Sequence, residues 1–282
     1  TDERQNFANW YSYYRTRHLA MVTAAWRVMS DAALSGTRVA WQSLTGCSSF
    51  SAGHTCDGYD SSSNSANNIL NTIDEFSGTR RTDLQNWLRR VRPAASNTSP
   101  ASPLRTAMRR AGDYYSVSAA SANNPYHKSP QLAWNSSTNP DYACRPNYHV
   151  LVAGSAWDDA SPGSYCSGSA CGDKDGTGTS LPQATVNGTG SYTVPTAPYS
   201  DGTPANSNSL ADVAFHYWIT DLRTDLANDK LLPYYGDRTG TLSQQDLNPK
   251  NDPARWQHMV NYVVGVGLRG TLGYRGPATA PP

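Results

Sequence analysis

Hydrophobic residues repeat at helical spacing along several parts of this chain. The first such pattern extends from Asn6 to Ser30, with apolar residues three or four positions apart and arginines among the polar positions between them. This periodicity predicts one long amphipathic helix. A second helix is expected from Ile69 to Phe76, and a third begins at a Thr82/Gln85 capping box.

Two further helices have clear start signals. In SPLRTAMRRAGDYY, Ser102 stands at the N-cap and Pro103 at the first helical position. In SLADVAFHYWITDL, Ser209 and Asp212 form a capping box before an apolar stripe. A short last helix is expected to start at Asp252 in DPARWQHM.

Apolar runs without helical periodicity predict the strands. They lie from Thr37 to Leu44, from Tyr148 to Val152, and in NYVVGVGLRG, where Gly265 and Gly267 permit close packing. Strands that alternate with helices imply a mostly parallel sheet with helices on both faces. We therefore expect an open α/β fold of the doubly wound, Rossmann type.

Polar segments interrupt this pattern and are expected to form long insertions. They lie near residues 45–65, 117–145 and 157–206, and the last is far longer than an ordinary connection. The final stretch, 275–282, contains GPATAPP and is typical of a linker. We interpret residues 1–274 as a single domain.

One strand ends where a ligand site would be expected. In CRPNYHVLVAGSAWDD, the apolar run breaks on Ala153, Gly154 and Ser155. Open α/β proteins bind ligands at the carboxyl ends of their strands. The residues that follow this break are therefore the first candidates for a functional site.

The charge balance excludes two classes of partner. The chain has 282 residues, with 23 Lys+Arg against 22 Asp+Glu and a net charge of +1. Such a chain has no long-range field that would gather nucleic acid or an anionic membrane. It also has no apolar run of the length that spans a bilayer. We expect neither nucleic acid binding nor a membrane span in this chain.

The cysteines favour local disulfides and an oxidising compartment. The chain contains five of them: Cys47, Cys56, Cys144, Cys166 and Cys171. The first two and the last two lie close in sequence and are expected to pair. For the remaining cysteine three states stay open: a free thiol, a pair across the fold, or a partner elsewhere in the protein. A zinc site is less favoured because no C-x-x-C occurs and His54 is the only nearby imidazole.

Five blocks in the chain carry a family resemblance. Between residue 6 and about residue 272 they are NFANWYSYYRTRHLAMVTAAWRVMS, SPLRTAMRRAGDYYS, CRPNYHVLVAGSAWDD, NSLADVAFHYWITDLRTDL and NDPARWQHMVNYVVGVGLRGTL. Together they resemble the N-terminal domain of the type IV pilus tip adhesins, the PilC/PilY family. The resemblance implies a von Willebrand factor A-like domain, which in the family precedes a C-terminal β-propeller.

The same resemblance implies a place and a role. Family members sit at the pilus tip on the cell surface, after export through the periplasm, and contribute to pilus assembly, surface adhesion and twitching motility. The implied partners are minor pilins or other tip subunits and a host or abiotic surface.

Von Willebrand A domains often hold a divalent cation, with an Asp-x-Ser-x-Ser turn, a Thr and a separate Asp as ligands. This chain contains no such turn. By the resemblance, Ser102 corresponds to the Thr, although the helix cap explains this serine more simply, and Gly154 stands at the position of the separate Asp. Asp158 and Asp159 follow shortly afterwards and are expected in a solvated loop.

We therefore expect no working metal site and no cofactor. Ser102, Asp158 and Asp159 remain weak candidate ligands. The alternative is a cation-dependent receptor-binding domain whose metal site is completed by an upstream segment absent from this chain. DKDGTG, at 173–178, resembles part of a calcium loop but lacks its spacing and distal Glu, so a polar turn is favoured.

Catalysis is not supported by any motif. Ser155 in VAGSAW resembles the serine of a G-x-S-x-G turn, but the second glycine is missing. We expect a non-enzymatic module that acts through loops on a rigid frame. Tyr165, Tyr192 and Tyr199, in the insertion at 157–206, are the candidate contact residues.

Overall fold

The structure is a computed structural model of the chain, and it describes most of the residues that the sequence pattern assigns to helices and strands. The described residues are 2–44, 72–91, 102–118, 124–129, 132–133, 135–154, 157–159, 166, 170–174, 178–180, 191–193, 207–246, 248 and 250–267.

The described ranges contain six α-helices. They are α1 Glu3–Tyr13, α2 Arg17–Met29, α3 Gly78–Arg90, α4 Leu104–Tyr115, α5 Leu210–Ile219 and α6 Leu242–Asp246. A single 3₁₀ turn, Ala32–Leu34, follows α2.

Eight strands lie in the same ranges. They are β1 Arg38–Val39, β2 Asp74–Glu75, β3 Asn147–Ala153, β4 Gly178–Ser180, β5 Ser191–Thr193, β6 Tyr234–Tyr235, β7 Asn251–Asp252 and β8 Met259–Gly265. Each pairs with one neighbour: β1 with β2, β4 with β5 and β6 with β7 antiparallel, and β3 with β8 parallel.

The parallel pair β3–β8 is the centre of a mixed α/β fold. The seven residues of β3 align with the seven of β8, from Asn147 opposite Met259 to Ala153 opposite Gly265. Both predicted apolar strands are thus confirmed and lie side by side. Their parallel direction requires the long crossover that α5 and the flanking segments supply.

Helices α4 and α5 cover one face of this pair. Met108 of α4, Leu151 of β3 and Val213 of α5 belong to one buried cluster with Met259 of β8. The capping box predicted for α5 is present: the Ser209 side chain accepts from the Asp212 N–H. In the described residues the opposite face of the pair is exposed, so the prediction of helices on both faces is confirmed for one face only.

The N-terminal helix is shorter than predicted because its helical conformation ends at Tyr13. Helix α1 ends there, and α2 begins at Arg17, with the Thr16 side chain accepting the Leu19 N–H at 3.2 Å. A threonine in this position is an N-cap, which starts a new helix and lets the chain change direction. The prediction of one continuous helix from Asn6 to Ser30 is therefore wrong.

The segment before α3 is also different from its prediction. The helix expected from Ile69 to Phe76 does not form in the described part, 72–76, where β2 pairs with β1 and the Phe76 N–H donates to the Thr37 carbonyl at 2.7 Å. Phe76 is fully buried beside Trp41 in a second cluster that α2 and α3 complete. The long-range strand pair thus takes precedence over local helical spacing.

Helix α3 starts earlier than its capping box suggests. It begins at Gly78 after Ser77, so that Thr82 lies inside the helix. Its apolar residues Leu84, Trp87 and Leu88 are buried, and Val91, just past its end, is half-buried.

The predicted helix at Asp252 is wrong as well. Asp252 lies in β7, and its carboxylate accepts from Trp218 Nε1 at 3.2 Å and lies 3.0 Å from His258 Nε2. The acid that resembled a helix cap instead joins two side chains from other segments.

Part of the predicted insertion at 117–145 is fixed to the body of the protein. Arg223, which follows α5, is buried and donates to Asp141 at 2.9 Å, to Asn124 at 3.0 Å and to Asp225 at 2.7 and 2.9 Å. Charge-assisted bonds of this kind leave little freedom to the planar guanidinium. Residues 124–129 and 135–145 are therefore a structural part of the domain.

Candidate functional site

The carboxyl end of β3 forms the base of the candidate site. The strand stops at Ala153, whose carbonyl accepts from the Val266 N–H at 2.8 Å. The next carbonyl, that of Gly154, accepts from Arg17 Nη1 of α2 at 2.8 Å. The first residue of α2 therefore lies beside the position that an acid would need to occupy in a metal site.

Ser102 and Asp158 contact each other at this end of the sheet. The Ser102 N–H donates to Asp158 Oδ1 at 2.6 Å, and the Asp158 N–H donates to the Ser102 carbonyl at 3.1 Å. Helix α4 starts only at Leu104, with Pro103 in the cap position and no side-chain capping bond. The predicted positions are therefore shifted by one residue: Pro103, and not Ser102, stands at the N-cap.

Asp159 supplies the cap from a distant part of the chain. Its Oδ2 accepts from the Thr106 N–H at 2.9 Å and from the Thr106 hydroxyl at 2.8 Å. Thr106 lies in the first turn of α4, where backbone N–H groups lack helical partners and the helix dipole favours negative charge. A carboxylate from residue 159 thus does for α4 what an N-cap side chain does in other helices.

Arg105 closes the other side of the Asp159 carboxylate. Its Nε lies 3.7 Å from Asp159 Oδ1, its Nη2 donates to the Asp159 carbonyl at 2.6 Å, and its Nη1 donates to the Asn208 carbonyl at 2.8 Å. Both side chains of this ion pair are buried. The expectation of a solvated loop is therefore wrong for Asp159 and correct for Asp158, which is exposed.

The residues present do not fit a divalent cation. Oδ1 of Asp158 is bonded to a backbone amide, and Oδ2 of Asp159 accepts two hydrogen bonds beside a guanidinium. Gly154 offers no side-chain oxygen, and the described part of the chain brings no three His, Cys, Asp or Glu side chains together in a metal-binding group. Hard cations require several free oxygen ligands, which this arrangement does not supply.

Arginines dominate the electrostatics of α4. Arg110 donates to the Gln42 side chain at 3.1 Å and to the Ser43 and Leu44 carbonyls at 3.0 Å each, and its burial lowers its pKa to about 10. The charge of Arg110 also interacts with that of Asp159, so together with Arg105 it adds positive charge near this carboxylate, which opposes a bound cation.

The insertion at 157–206 contributes buried residues to the core. Cys166 and Cys171 form a disulfide, as the sequence predicts, and both are buried in the cluster that contains Met259. The Lys174 N–H then donates to Asp212 Oδ1 of α5 at 2.7 Å. Cys166, Cys171 and Lys174 are therefore held to the body of the fold.

Other predicted site residues lie outside the described residues. These are Cys47, Cys56, Ser155, Tyr165 and Tyr199. Tyr192 lies in β5, of which the structure describes the backbone. Cys144 is exposed and forms no disulfide.

Sequence reasoning missed two residues of this site, Thr106 and Arg105. No local sequence pattern marks Thr106, because its partner Asp159 lies 53 positions away along the chain. Arg105 gave a weak one: in LRTAM it stands between Leu104 and Met108, on the face that becomes buried. A buried arginine requires an acid, and Asp159 is that acid.

Two histidines that could serve as general bases for a serine nucleophile have structural partners. His127 Nε2 lies 3.3 Å from Asp141 Oδ1, and His149 Nδ1 lies 2.9 Å from Asn261 Oδ1. No helix within the described ranges has the length and apolar character needed to cross a bilayer.

Comparison with known proteins identifies relatives over nearly the whole chain. Among them are three proteins named type IV pilus biogenesis factor PilY1, all from Pseudomonas aeruginosa. The PAO1 protein is 38% identical over 274 residues, the PAK protein 39% over 272 and the UCBPP-PA14 protein 32% over 274. Each match covers 96% of this chain but only 20%, 20% and 19% of the respective relative.

The chain thus spans about a fifth of the length of the curated relatives it matches. No protein-family model and no solved structure matches it. The resemblance in the five sequence blocks and the identity of 32–39% over 96% of the chain agree. The chain belongs to the family of the type IV pilus biogenesis factor PilY1.

Proposed function

We propose that this chain is a von Willebrand factor A-like module of a type IV pilus tip protein, which supports pilus assembly and surface adhesion without catalysing a reaction. The proposal rests on the sequence identity of 38% and 39% that the chain shares, over 96% of its length, with proteins named for type IV pilus biogenesis. We extend this role to a position at the extracellular pilus tip, to adhesion and to a contribution to twitching motility. The partners are minor pilins and a host or abiotic surface.

The arrangement around β3 and β8 supports the von Willebrand factor A-like assignment. Two parallel strands lie on α4 and α5, and the chain leaves β3 at its carboxyl end through small residues. This is the place where open α/β folds present their binding loops. Residues 1–274 then form one domain, and 275–282 form a linker.

In the proposed mechanism, loops on this α/β frame contact the minor pilins and the surface to which the pilus attaches. Asp159, the Cys166–Cys171 pair and Lys174, which are described residues of the insertion at 157–206, are held to the body of the domain by hydrogen bonds and by burial in the core. We assign the contact role to loops of this insertion, with Tyr165, Tyr192 and Tyr199 as contact residues.

A deletion in the complete protein tests this assignment. Residues 181–190, between β4 and β5, are replaced by a short Gly-Ser linker together with Tyr192→Ser and Tyr199→Ser, and the variant is returned to a strain that lacks the gene. We expect the 282-residue chain with the same replacement to unfold at an unchanged temperature, whereas surface pili and twitching decrease. Tyr234→Ala, at an exposed position on β6, is the control that should change neither. Normal piliation, twitching and attachment by the deletion variant would refute the assignment.

We also propose that this end of the sheet acts without a bound cation. Calorimetric titration of Mg²⁺, Mn²⁺ and Ca²⁺ into the 282-residue chain, and into a version extended upstream, should give no saturable heat. Binding that disappears in Ser102→Ala would instead favour the cation-dependent receptor, because Ser102 and Asp158 lie in contact at this end of the sheet.

A further inference from the structure

Two arginines converge on one short segment near the amino end of β3. Arg38 of β1 donates from Nη1 to the Pro125 carbonyl at 2.6 Å and from Nη2 to the His127 carbonyl at 3.3 Å. Arg145, two residues before β3, donates from Nη1 to the carbonyls of Pro125, Tyr126 and His127 at 3.3, 2.9 and 2.6 Å. The two guanidinium groups therefore share two carbonyl oxygens, at the opposite end of β3 from the candidate site.

No carboxylate of the described residues pairs with either of these two charges. Both guanidinium groups are absent from the ion pairs that the described ranges contain. Asp141 lies near Arg145 but pairs with Arg223 at 2.9 Å. Asp74 lies near Arg38, and its Oδ1 accepts a backbone N–H at 2.8 Å. Carbonyl dipoles thus hold two half-buried cations whose charge no acid neutralises.

The two positive charges oppose each other in this position. Burial lowers the pKa of Arg145 to about 10, and the charge of Arg38 acts in the same direction. Burial also lowers the pKa of Arg38. Like charges repel more strongly where water is partly excluded. A negative charge beside the pair would be attracted by both guanidinium groups and would relieve their repulsion.

A third arginine adds to the positive charge. Arg80 of α3 is only 7% exposed and donates to the Val39 and Thr72 carbonyls. The adjacent carbonyl, that of Ile73, accepts from Arg38 Nη2 at 3.4 Å. Arg80 likewise forms no ion pair with an acid in the described ranges. We call Arg38, Arg80 and Arg145 the arginine cluster.

Arg145 has one edge that can bind an anion. Its Nη1 makes all three bonds to the carbonyls, whereas Nε and Nη2 donate to none of the described residues and are not sealed in the interior. The Tyr142 ring, with its centroid 4.6 Å from the central carbon of the guanidinium, covers one flat face of the group. Two N–H groups on one edge match two oxygen atoms of a carboxylate or a phosphate.

We propose that the arginine cluster is a binding site for a small oxyanion, a carboxylate or a phosphate. Arg145 binds two of its oxygen atoms through the Nε–Nη2 edge, and the charges of Arg38 and Arg80 strengthen the attraction. The bound anion stabilises the contact between β1 and residues 125–127, because it offsets the repulsion between the arginines that hold them together. This site uses no residue of the insertion at 157–206 and is independent of the proposed pilus contacts.

Calorimetric titration of the 282-residue chain with sodium phosphate and with sodium acetate tests the site, with sodium chloride at equal ionic strength as the reference. We expect saturable binding of at least one oxyanion, and the stronger ligand shows whether the site prefers a phosphate or a carboxylate. The dissociation constant should rise at least about tenfold in Arg145→Gln, which removes the two-pronged contact. Arg4→Gln, the same change at a side chain that is 93% exposed, is the matched control and should leave the constant unchanged. Absence of saturable binding, or equal binding by Arg145→Gln, would overturn the proposal.

A second variant separates binding from folding. Arg145→Lys keeps the positive charge and a donor for the carbonyls but lacks the planar edge, so it should bind the anion more weakly than the native chain while folding normally by circular dichroism. It replaces Arg145→Gln if that variant does not fold. The oxyanion that binds should raise the unfolding temperature of the native chain and of Arg4→Gln more than that of Arg145→Lys. An equal rise in all three proteins would show a nonspecific salt effect and would also refute the site.

Discussion

The ring of Tyr217 occupies the space that a side chain on Gly112 would need. A Cβ atom built at Gly112 would overlap the ring, and the Tyr217 hydroxyl donates to Asp113 Oδ1 at 2.6 Å. Glycine at this position lets α4 and α5 approach closely, and the hydrogen bond then fixes the ring between them. The face of the sheet that these helices cover depends on that contact.

We therefore expect Gly112→Ala to destabilise the protein. The overlap involves the body of the ring, so the ring must move, and overpacking of this kind costs about 1–3 kcal/mol. The helix preference of alanine, up to about 1 kcal/mol, offsets part of this. Urea denaturation measures the change. Gly154→Ala is the control, because a Cβ there would lie at an ordinary 3.6 Å from the Val266 carbonyl oxygen; equal stabilities would contradict the packing argument.

Asp159 should matter for stability far more than Asp158. Asp159→Ala leaves Arg105 buried without its carboxylate and removes both bonds to Thr106, and loss of one partner of a buried pair costs about 3–5 kcal/mol. Asp158→Ala removes one bond at an exposed position, for about 1 kcal/mol or less. Chemical denaturation compares the two variants. If they were equally stable, Asp159 would not be the cap of α4.

The Cys166–Cys171 disulfide should stabilise the fold modestly. It closes a short loop, with a sequence separation of 5, and such a loop is expected to contribute about 2 kcal/mol. The double variant Cys166→Ala, Cys171→Ala should lose at least that amount in the free energy of unfolding. Cys144→Ser, at an exposed thiol, is the control and should behave like the native chain.

The free energy of unfolding should decrease as the pH falls below 6.5, the ordinary pKa of histidine. Burial lowers the pKa of His149 from 6.5, and the hydrogen bond that His149 Nδ1 donates to Asn261 Oδ1 opposes that shift only in part. The unfolded chain therefore binds a proton at a higher pH than the folded chain does, so stability is retained above pH 6.5 and lost below it. His216, whose pKa burial also lowers, acts in the same direction.

Denaturation between about pH 7 and pH 5, the range around the ordinary pKa of histidine, measures this loss. In His149→Gln the decrease should be smaller, because one of the two histidines no longer takes up a proton on unfolding. An equally steep decrease in the variant would show that His149 does not contribute.

The elements that the sequence predicted well are those with local signals. Helix α5 has a Ser209/Asp212 capping box in which both partners lie within one turn. Strand β8 is an apolar run that lacks helical periodicity, which favours a strand. Helix α4 was also predicted, although its cap was assigned to the wrong residue. In each case the local pattern and the tertiary structure favour the same conformation.

The failures share a different cause, which is sequence distance. Ile73 and Phe76 stand at helical spacing, but pairing with strand β1, more than 30 positions earlier in the chain, gives this segment its extended conformation. The carboxylate that caps α4 comes from Asp159, and Asp252 resembles a cap but bonds to Trp218. Partners of this kind become visible only when the fold brings them together.

The burial of the Cys166–Cys171 bond affects when it can form and when it can be broken. Both sulfur atoms are enclosed beside Met259, so an oxidant must reach them before the core closes, and a reductant must wait until the core opens again. The disulfide can therefore be reduced only when this part of the domain opens. Its rate of reduction measures how often the helices separate from the sheet.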